Sequence, residues 1–383
     1  MRVLSGLSAI SLLAGAYASS VDLNIPSSTA TVDVRVFNVA NGSVVNAAST
    51  LFAPILPGHE TAQFPIYSFL VEHSQKRFMF DLGIRTDPQN FAPSVASLFT
   101  DGTIQLQQPF KEITELLQDA GIPLASIDAV IWSHSHFDHI LSFLVSSEVP
   151  CTELIIGSET DTDTYPTFPN ASLQASDLAG RKVTKIDFST ANLTFSGGLK
   201  AIDYFGDGSF YLVNTPGHLP GHLTALARVT PTSFISLGGD TFHHVGEARP
   251  RPLFQQNFPC PAELLEEAKT AISTDYFWSP LSRDGAFDIP SRSESLLAIS
   301  DQPDSFYADP TTAAVSLEKI ATFDADPDIF VIVAHDMSLR AALPYYPAYL
   351  NDWKASGLKE NNVWNFVNTS NPAFIFSPTN QTA

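Results

Sequence analysis

The chain has 383 residues, with 40 acidic against 20 basic side chains and a formal net charge of −20. That excess repels phosphate backbones and anionic membrane surfaces, which argues against a nuclease or other nucleic-acid partner. The length and the 28 Phe suffice for a large core, while two cysteines, Cys151 and Cys260, are too few for a disulfide framework and read as structural.

Residues 1–18 read as a cleavable export signal. Arg2 supplies the positive end, Val3 to Leu13 an apolar stretch and Ala16-Tyr17-Ala18 the small-x-small cleavage pattern. The stretch is short for a bilayer span, which needs about 20 residues, and no later segment is a candidate span. Sequons at Asn41, Asn170, Asn192, Asn368 and Asn380 fit export. The expected mature protein is a secreted glycoprotein, residues 19–383, forming a single domain.

Thr31 to Val39 alternates as a strand does, with Val32, Val34 and Val36 on one face. Ile66 to Val71 and Arg77 to Phe80 follow as strands, and Asp81-Leu82-Gly83 closes that unit. Lys111 to Ala120 has helical spacing, stopped by Gly121 and Pro123. Ile127 to Trp132 is a buried strand, with a helix expected over Ile140 to Val145 behind it, and Leu154 to Ile156 is another strand. A second set of strands comprises Lys182 to Phe188, Leu199 to Tyr204, Phe210 to Val213, Leu223 to Val229 and Phe234 to Leu237. Helices are expected over Ala262 to Ile272 and Ala313 to Ala321, then a last buried strand over Ile329 to Val333. Two batches of strands with helices predict two packed sheets covered by helices. Insertions are expected near 85–110 and 246–300, rich in Pro, Ser and Asp; loops of that length act as lids or stay irregular.

The segment His134-Ser135-His136-Phe137-Asp138-His139 places three of the 10 histidines and a carboxylate in six residues after a strand. Alternate residues of an extended chain share a face, so His134 and His136 can grip one cation while Asp138 and His139 turn toward a second. Imidazole nitrogen and carboxylate oxygen are ligands that zinc and similar ions accept. Three more strand ends repeat the theme: Thr215-Pro216-Gly217-His218 (continuing Leu219-Pro220-Gly221-His222), Gly238-Gly239-Asp240 and Ala334-His335-Asp336.

In that order these motifs resemble the metallo-β-lactamase superfamily, over a span from about Thr31 to the last motif. The second and last motifs look most like the branch holding acyl-homoserine lactonases. The resemblance implies an α/β fold, an αββα sandwich of two mixed β-sheets flanked by helices. It implies that His134, His136 and His218 hold one metal, that Asp138, His139 and His335 hold another, and that Asp240 bridges them. The expected cofactors are two Zn²⁺ ions, with iron or manganese as alternatives. Asp138 would also orient the water shared by the two ions. Bacterial lactonases carry a Tyr three residues after the bridging Asp; here that position is His243, a candidate catalytic hydrogen-bond partner or a plain loop residue. His222 is expected to support the site, His244 has no assigned role, and His59 and His73 read as structural. No Cys occupies a ligand position, which speaks against a β-lactamase of the Cys-containing subgroup.

The function so implied is a secreted dinuclear zinc hydrolase that opens a lactone or similar cyclic ester. Alternatives are a thioester or β-lactam hydrolase of the same superfamily, or, further off, an iron-dependent oxidoreductase. The expected partner is a small-molecule ester or lactone, with no nucleic acid and no membrane; oligomeric state is not legible. Phe242, Phe254 and Trp278 are candidate pocket walls, with core packing the default for such residues.

Overall fold

The computed structural model describes residues 22–141, 152–278 and 285–379. The expected export signal, Cys151, the sequon at Asn380 and most of the helix expected over Ile140 to Val145 lie outside them. Ile140 and Leu141, which lie inside, are not helical.

Two sheets divide the chain in sequence. The first holds β1 (Asp33–Val44), β2 (Ala62–Glu72), β3 (Arg77–Phe80), β4 (Ile104–Leu106), β5 (Ala129–Ile131), β6 (Glu153–Gly157) and β7 (Val183–Ile186), in the spatial order β7-β6-β5-β3-β2-β1-β4. The half from β4 to β3 is antiparallel, and β3, β5, β6 and β7 run parallel. The second holds β8 (Leu193–Phe195), β9 (Leu199–Asp203), β10 (Phe210–Asn214), β11 (Leu223–Thr230), β12 (Ser233–Leu237) and β13 (Ile329–Ile332), side by side in that order. All its pairs are antiparallel except β12 with β13.

Period-two alternation sorts the strand residues into layers. Ala129 and Ile131 of β5, with Phe330 and Ile332 of β13, belong to the core between the sheets. Val130 faces outward and packs with Ile113 and Leu117 of helix α2, which follows α1 (Pro93–Thr100) and spans Ile113–Asp119. On the far side, Ile329 and Val331 pack with Ala313, Leu317 and Ile320 of the helix Pro310–Asp324. The result is helix, sheet, sheet, helix, as expected. Each fully buried Leu, Ile or Phe contributes about 1.5–3 kcal/mol, so the central strands hold the ligand-bearing loops on a stiff base.

Two expectations need correction. The sequence reading groups Lys182 to Phe188 with the second set of strands, but as β7 it pairs in parallel with β6 at the edge of the first sheet. Its residues are half-buried or exposed, so its pattern carried no hydrophobic signal of its partner. The stretch Arg85 to Pro109 is not a long loop. It folds into α1, with Pro93 in the first turn where its missing N–H is not needed, and into β4, which extends the first sheet beyond β1. The second insertion holds short helices, among them Ala262–Ala271 as expected.

Candidate metal centre

The loops after β5, β10, β12 and β13 meet at one end of the two sheets. Backbone bonds tie them there: Leu223 N–H donates to Ser133 O at 2.9 Å, Ala334 N–H to Gly239 O at 2.9 Å and Tyr67 N–H to Ala334 O at 3.1 Å. Gly239 has φ +51°, and a Cβ on it would lie 2.7 Å from Cβ of Ser133. The glycine before Asp240 is therefore required both by its backbone conformation and by the close approach of the β5 loop. Gly217, at φ +128°, similarly lets the His218 loop pack against Ala313.

All seven expected ligand side chains converge. Nε2 of His134, Nδ1 of His136 and Nε2 of His218 lie 2.8 to 3.1 Å from one another. With Asp240 they form one group of donor atoms; Asp138, His139 and His335 form a second, and within each group the atoms lie within 4.8 Å of one another. Asp240 reaches into both: Oδ2 lies 3.4 Å from Nε2 of His218 and 3.3 Å from Nε2 of His335, and Oδ1 lies 3.3 Å from Nε2 of His139. Oδ2 of Asp138 lies 3.3 Å from Nε2 of His335.

The electrostatics suit cations. Burial holds His134 and His218 well below the usual imidazole range and His136 at about 4, so their lone pairs are free. At His139 and His335 burial is the largest influence and opposes a charge, but the carboxylates around them together outweigh it, Asp240 first, with Asp81 and Asp138 at His139 and Asp138 at His335, and raise both; what draws a proton there draws a metal ion equally. Burial also opposes charge on Asp240, yet His335 and His139 hold it well below the usual carboxylate range. Nε2 of His139 and Oδ1 of Asp240 are buried with no hydrogen-bond partner. Orphaned buried donors in a mixed nitrogen and oxygen set fit two divalent ions of the zinc type.

A shell of partners orients these rings. Asp81, at φ +57°, accepts the Ser133 N–H at 2.7 Å through Oδ1 and bonds Nδ1 of His139 at 2.9 Å through Oδ2. His335 donates from Nδ1 to Pro65 O at 2.8 Å. His222 donates from Nδ1 to Thr215 O at 2.8 Å and accepts the Asp240 N–H at Nε2, 3.0 Å away. Both its nitrogens are thus taken, Nε2 by the backbone of Asp240 and Nδ1 by that of Thr215.

His243 faces the site, with Nε2 3.3 Å from Oδ2 of Asp240 and Nδ1 2.8 Å from the Tyr307 hydroxyl. Behind them Glu247 is fully buried. Its Oε1 accepts the N–H groups of His243 and His244 at 2.9 and 2.7 Å, and its Oε2 lies 3.4 Å from the Tyr307 hydroxyl. Burial pushes the Glu247 carboxyl up to about 8 and Tyr307 well above the usual phenol range. Sequence reasoning missed Asp81, Glu247 and Tyr307.

A cavity of about 420 Å³ opens at the ligand cluster, with His136, Asp138, Asp240, His243 and His335 in its lining. The aromatic walls are Phe52, Phe64, Phe137, Phe306 and Phe374. Phe242 and Phe254 are in the core, following the default, and Trp278 is 65% exposed away from the cavity. His244 donates from Nε2 to Ala373 O, and Nε2 of His59 lies 2.7 Å from Ser377 O. Both therefore pin the C-terminal segment, and His59 also lines the cavity. His73 pairs with Asp207 at 2.9 Å, a structural contact as expected.

A model of the metallo-β-lactamase superfamily matches residues 61–227. The gamma-lactamase FDB1 of Fusarium pseudograminearum is 34% identical over 371 residues, covering 91% of this chain and 84% of that protein. The cytochrome P450 monooxygenase mpaDE′ of Penicillium brevicompactum is 36% identical over 356 residues and covers 90% of this chain. This chain in turn spans only 38% of that relative's length. Among solved structures, an N-acyl homoserine lactone hydrolase with N-hexanoyl-L-homoserine at its metal centre aligns with TM-score 0.51 and 15% identity, over 84% of this chain and 99% of that one.

Proposed function

Since the chain belongs to the metallo-β-lactamase superfamily, we propose that it is a dinuclear zinc hydrolase that opens the ring of a lactone or of a γ-lactam. The observation that carries this reading is the convergence of seven nitrogen and oxygen donors from both sheets at the floor of one cavity. His134, His136 and His218 would hold one ion, Asp138, His139 and His335 the other, and Asp240 would stand between them. Such a pair of ions, when bound, polarises a carbonyl and makes hydroxide available near neutral pH.

The chain's own residues do the rest. Asp138 presents a carboxylate beside His335 and can accept a proton from the attacking water and orient it. His243 offers Nε2 toward the same space. With its proton on, Glu247 can donate to Tyr307, which then donates to Nδ1 of His243. The proton of that ring is left on Nε2, where it can bond a carbonyl or leaving oxygen. In this reading a histidine held by a buried tyrosine takes the place of the tyrosine found in bacterial lactonases. The gamma-lactamase relative supports a cyclic amide as a second substrate class beside the cyclic ester.

The test is metal analysis of purified protein, then titration of released acid over a panel of lactones, lactams and thioesters. About two zinc ions per chain and metal-dependent ring opening are expected. Full activity in Asp240→Ala would sink the bridging role. Export is part of the same proposal, resting on residues 1–18 and on sequons whose Asn170 and Asn192 are exposed. Recovery of the chain only from cell lysate, never from the medium of a eukaryotic host, would contradict it.

A further inference from the structure

We propose that the ring-opening site selects a substrate whose body, away from the reacting ring, is uncharged and apolar, and that it turns away the same ring carrying a distal carboxylate. The inference rests on the ring-opening reading and names the substrate class within it.

Three observations carry it. The first is chemical. Beyond the ligand cluster the lining is aliphatic and aromatic, drawn from Leu51 and Phe52, from Val95 and Leu98 of α1, and from Phe374 and Ile375 near the C-terminus. Among the described residues no Lys or Arg lines the cavity, and its carboxylates, Asp138 and Asp240, belong to the ligand cluster that the two ions would neutralise and not to the wall beyond it. A carboxylate placed against such a wall loses its water and gains no partner, which costs far more than the apolar contacts return.

The second is that the polar groups away from the cluster are already committed or neutral. His244 gives Nε2 to Ala373 O and accepts the Gly246 N–H at Nδ1. Nε2 of His59 is taken by Ser377 O. Thr61 and Gln63 are exposed lining residues, and they carry no charge. None of these groups brings a fixed positive charge to an anion.

The third is the field of the whole chain. At −20 the chain's net charge disfavours the long-range approach of an anion. The cavity, at about 420 Å³, lies within the range of sites that enclose a drug-sized molecule. It has room for a ring at the cluster and an apolar body beyond it.

In the reaction, the water oxygen bonds the carbonyl carbon and the ring C–O or C–N bond breaks. The leaving oxygen or nitrogen takes a proton, and the acid formed ionises to solvent. None of these steps requires a charge on the distal body.

The test compares the metal-loaded enzyme on two γ-lactones with the same alkyl chain, one ending in a methyl group and one in a carboxylate. The neutral lactone is expected to show kcat/KM at least about tenfold higher; a smaller ratio overturns the inference while leaving ring opening in place. Should neither lactone be opened, the hydrolytic reading for lactones falls. The pocket is then decided by calorimetric binding of two inert cyclopentanones bearing the same chains, with the same tenfold threshold in Kd. Leu98→Arg supplies a control, since Leu98 lines the cavity from α1 and is half-exposed, so a guanidinium there can keep its head in water. It should raise kcat/KM for the carboxylated lactone at least about tenfold relative to the neutral one. No change in that ratio in a folded variant counts against the inference.

Discussion

Oδ2 of Asp81 lies 2.9 Å from Nδ1 of His139, across 58 residues of chain. The same carboxylate holds the Ser133 N–H at 2.7 Å, so one side chain sets both the ring and the backbone of the first ligand loop. Partners of this kind fix the tautomer of a ligand histidine and raise its basicity. At the proposed two-ion site, Asp81→Ala should weaken metal binding at the Asp138, His139 and His335 group by about 10- to 100-fold in a chelator competition while sparing the His134, His136 and His218 group. Equal loss of both ions, or of neither, would contradict that assignment.

The Tyr307 hydroxyl stands in the same relation to His243. Tyr307→Phe keeps the buried ring and removes the hydroxyl. It should lower kcat by about 10- to 100-fold at nearly constant KM, metal content and melting temperature. A change in KM alone would mean that His243 serves binding and not the chemical step.

Glu247 makes stability depend on pH. Burial raises its folded-state value to about 8, against an unfolded value near 4.5. Between these limits the folded chain holds a proton that the unfolded chain has lost. Its contribution to stability is thus fully present below about 4.5 and disappears as pH rises through about 8. Measured against Glu247→Gln, which cannot titrate, the wild type should lose stability across that window. Parallel pH curves for the two proteins would refute the assignment.

Arg249 and Asp324 are both fully buried and joined by two bonds, Nε to Oδ2 at 2.8 Å and Nη2 to Oδ1 at 2.7 Å. The pair fastens the end of the His243–Glu247 segment to the helix Pro310–Asp324. Asp324→Asn leaves the guanidinium without its counter-charge in the interior. A cost of about 3–5 kcal/mol in urea unfolding is expected, and a cost under about 1 kcal/mol would show that water reaches the pair.

The convergence of the seven candidate ligands was legible because their motifs follow apolar runs. His134, His218, Asp240 and His335 stand where strand periodicity ends, and those ends gather wherever two sheets pack side by side. The partners behind them were less legible. Asp81 left a trace, being a carboxylate between Phe80 and Leu82 that cannot be buried without partners. Tyr307 and Glu247 left none, since they meet His243 only through the path of the second insertion. The cavity wall was illegible for a similar reason. Leu51, Val95 and Phe374 carry no shared motif and are neighbours only in three dimensions. The edge strand β7, half-exposed, lacked the alternation that would have named its sheet.

The tail of the molecule has its own consequence. Residues 372–375 form part of the cavity wall, and bonds from His244, His59 and Asn371 hold that stretch in place, yet every candidate ligand precedes residue 336. One part of the wall therefore lies on a length of chain that carries none of the candidate ligands, while the rest is interleaved with them. Grafting a relative's counterpart of residues 372–375 onto this scaffold would reshape one side of the pocket without touching any side chain of the ligand cluster.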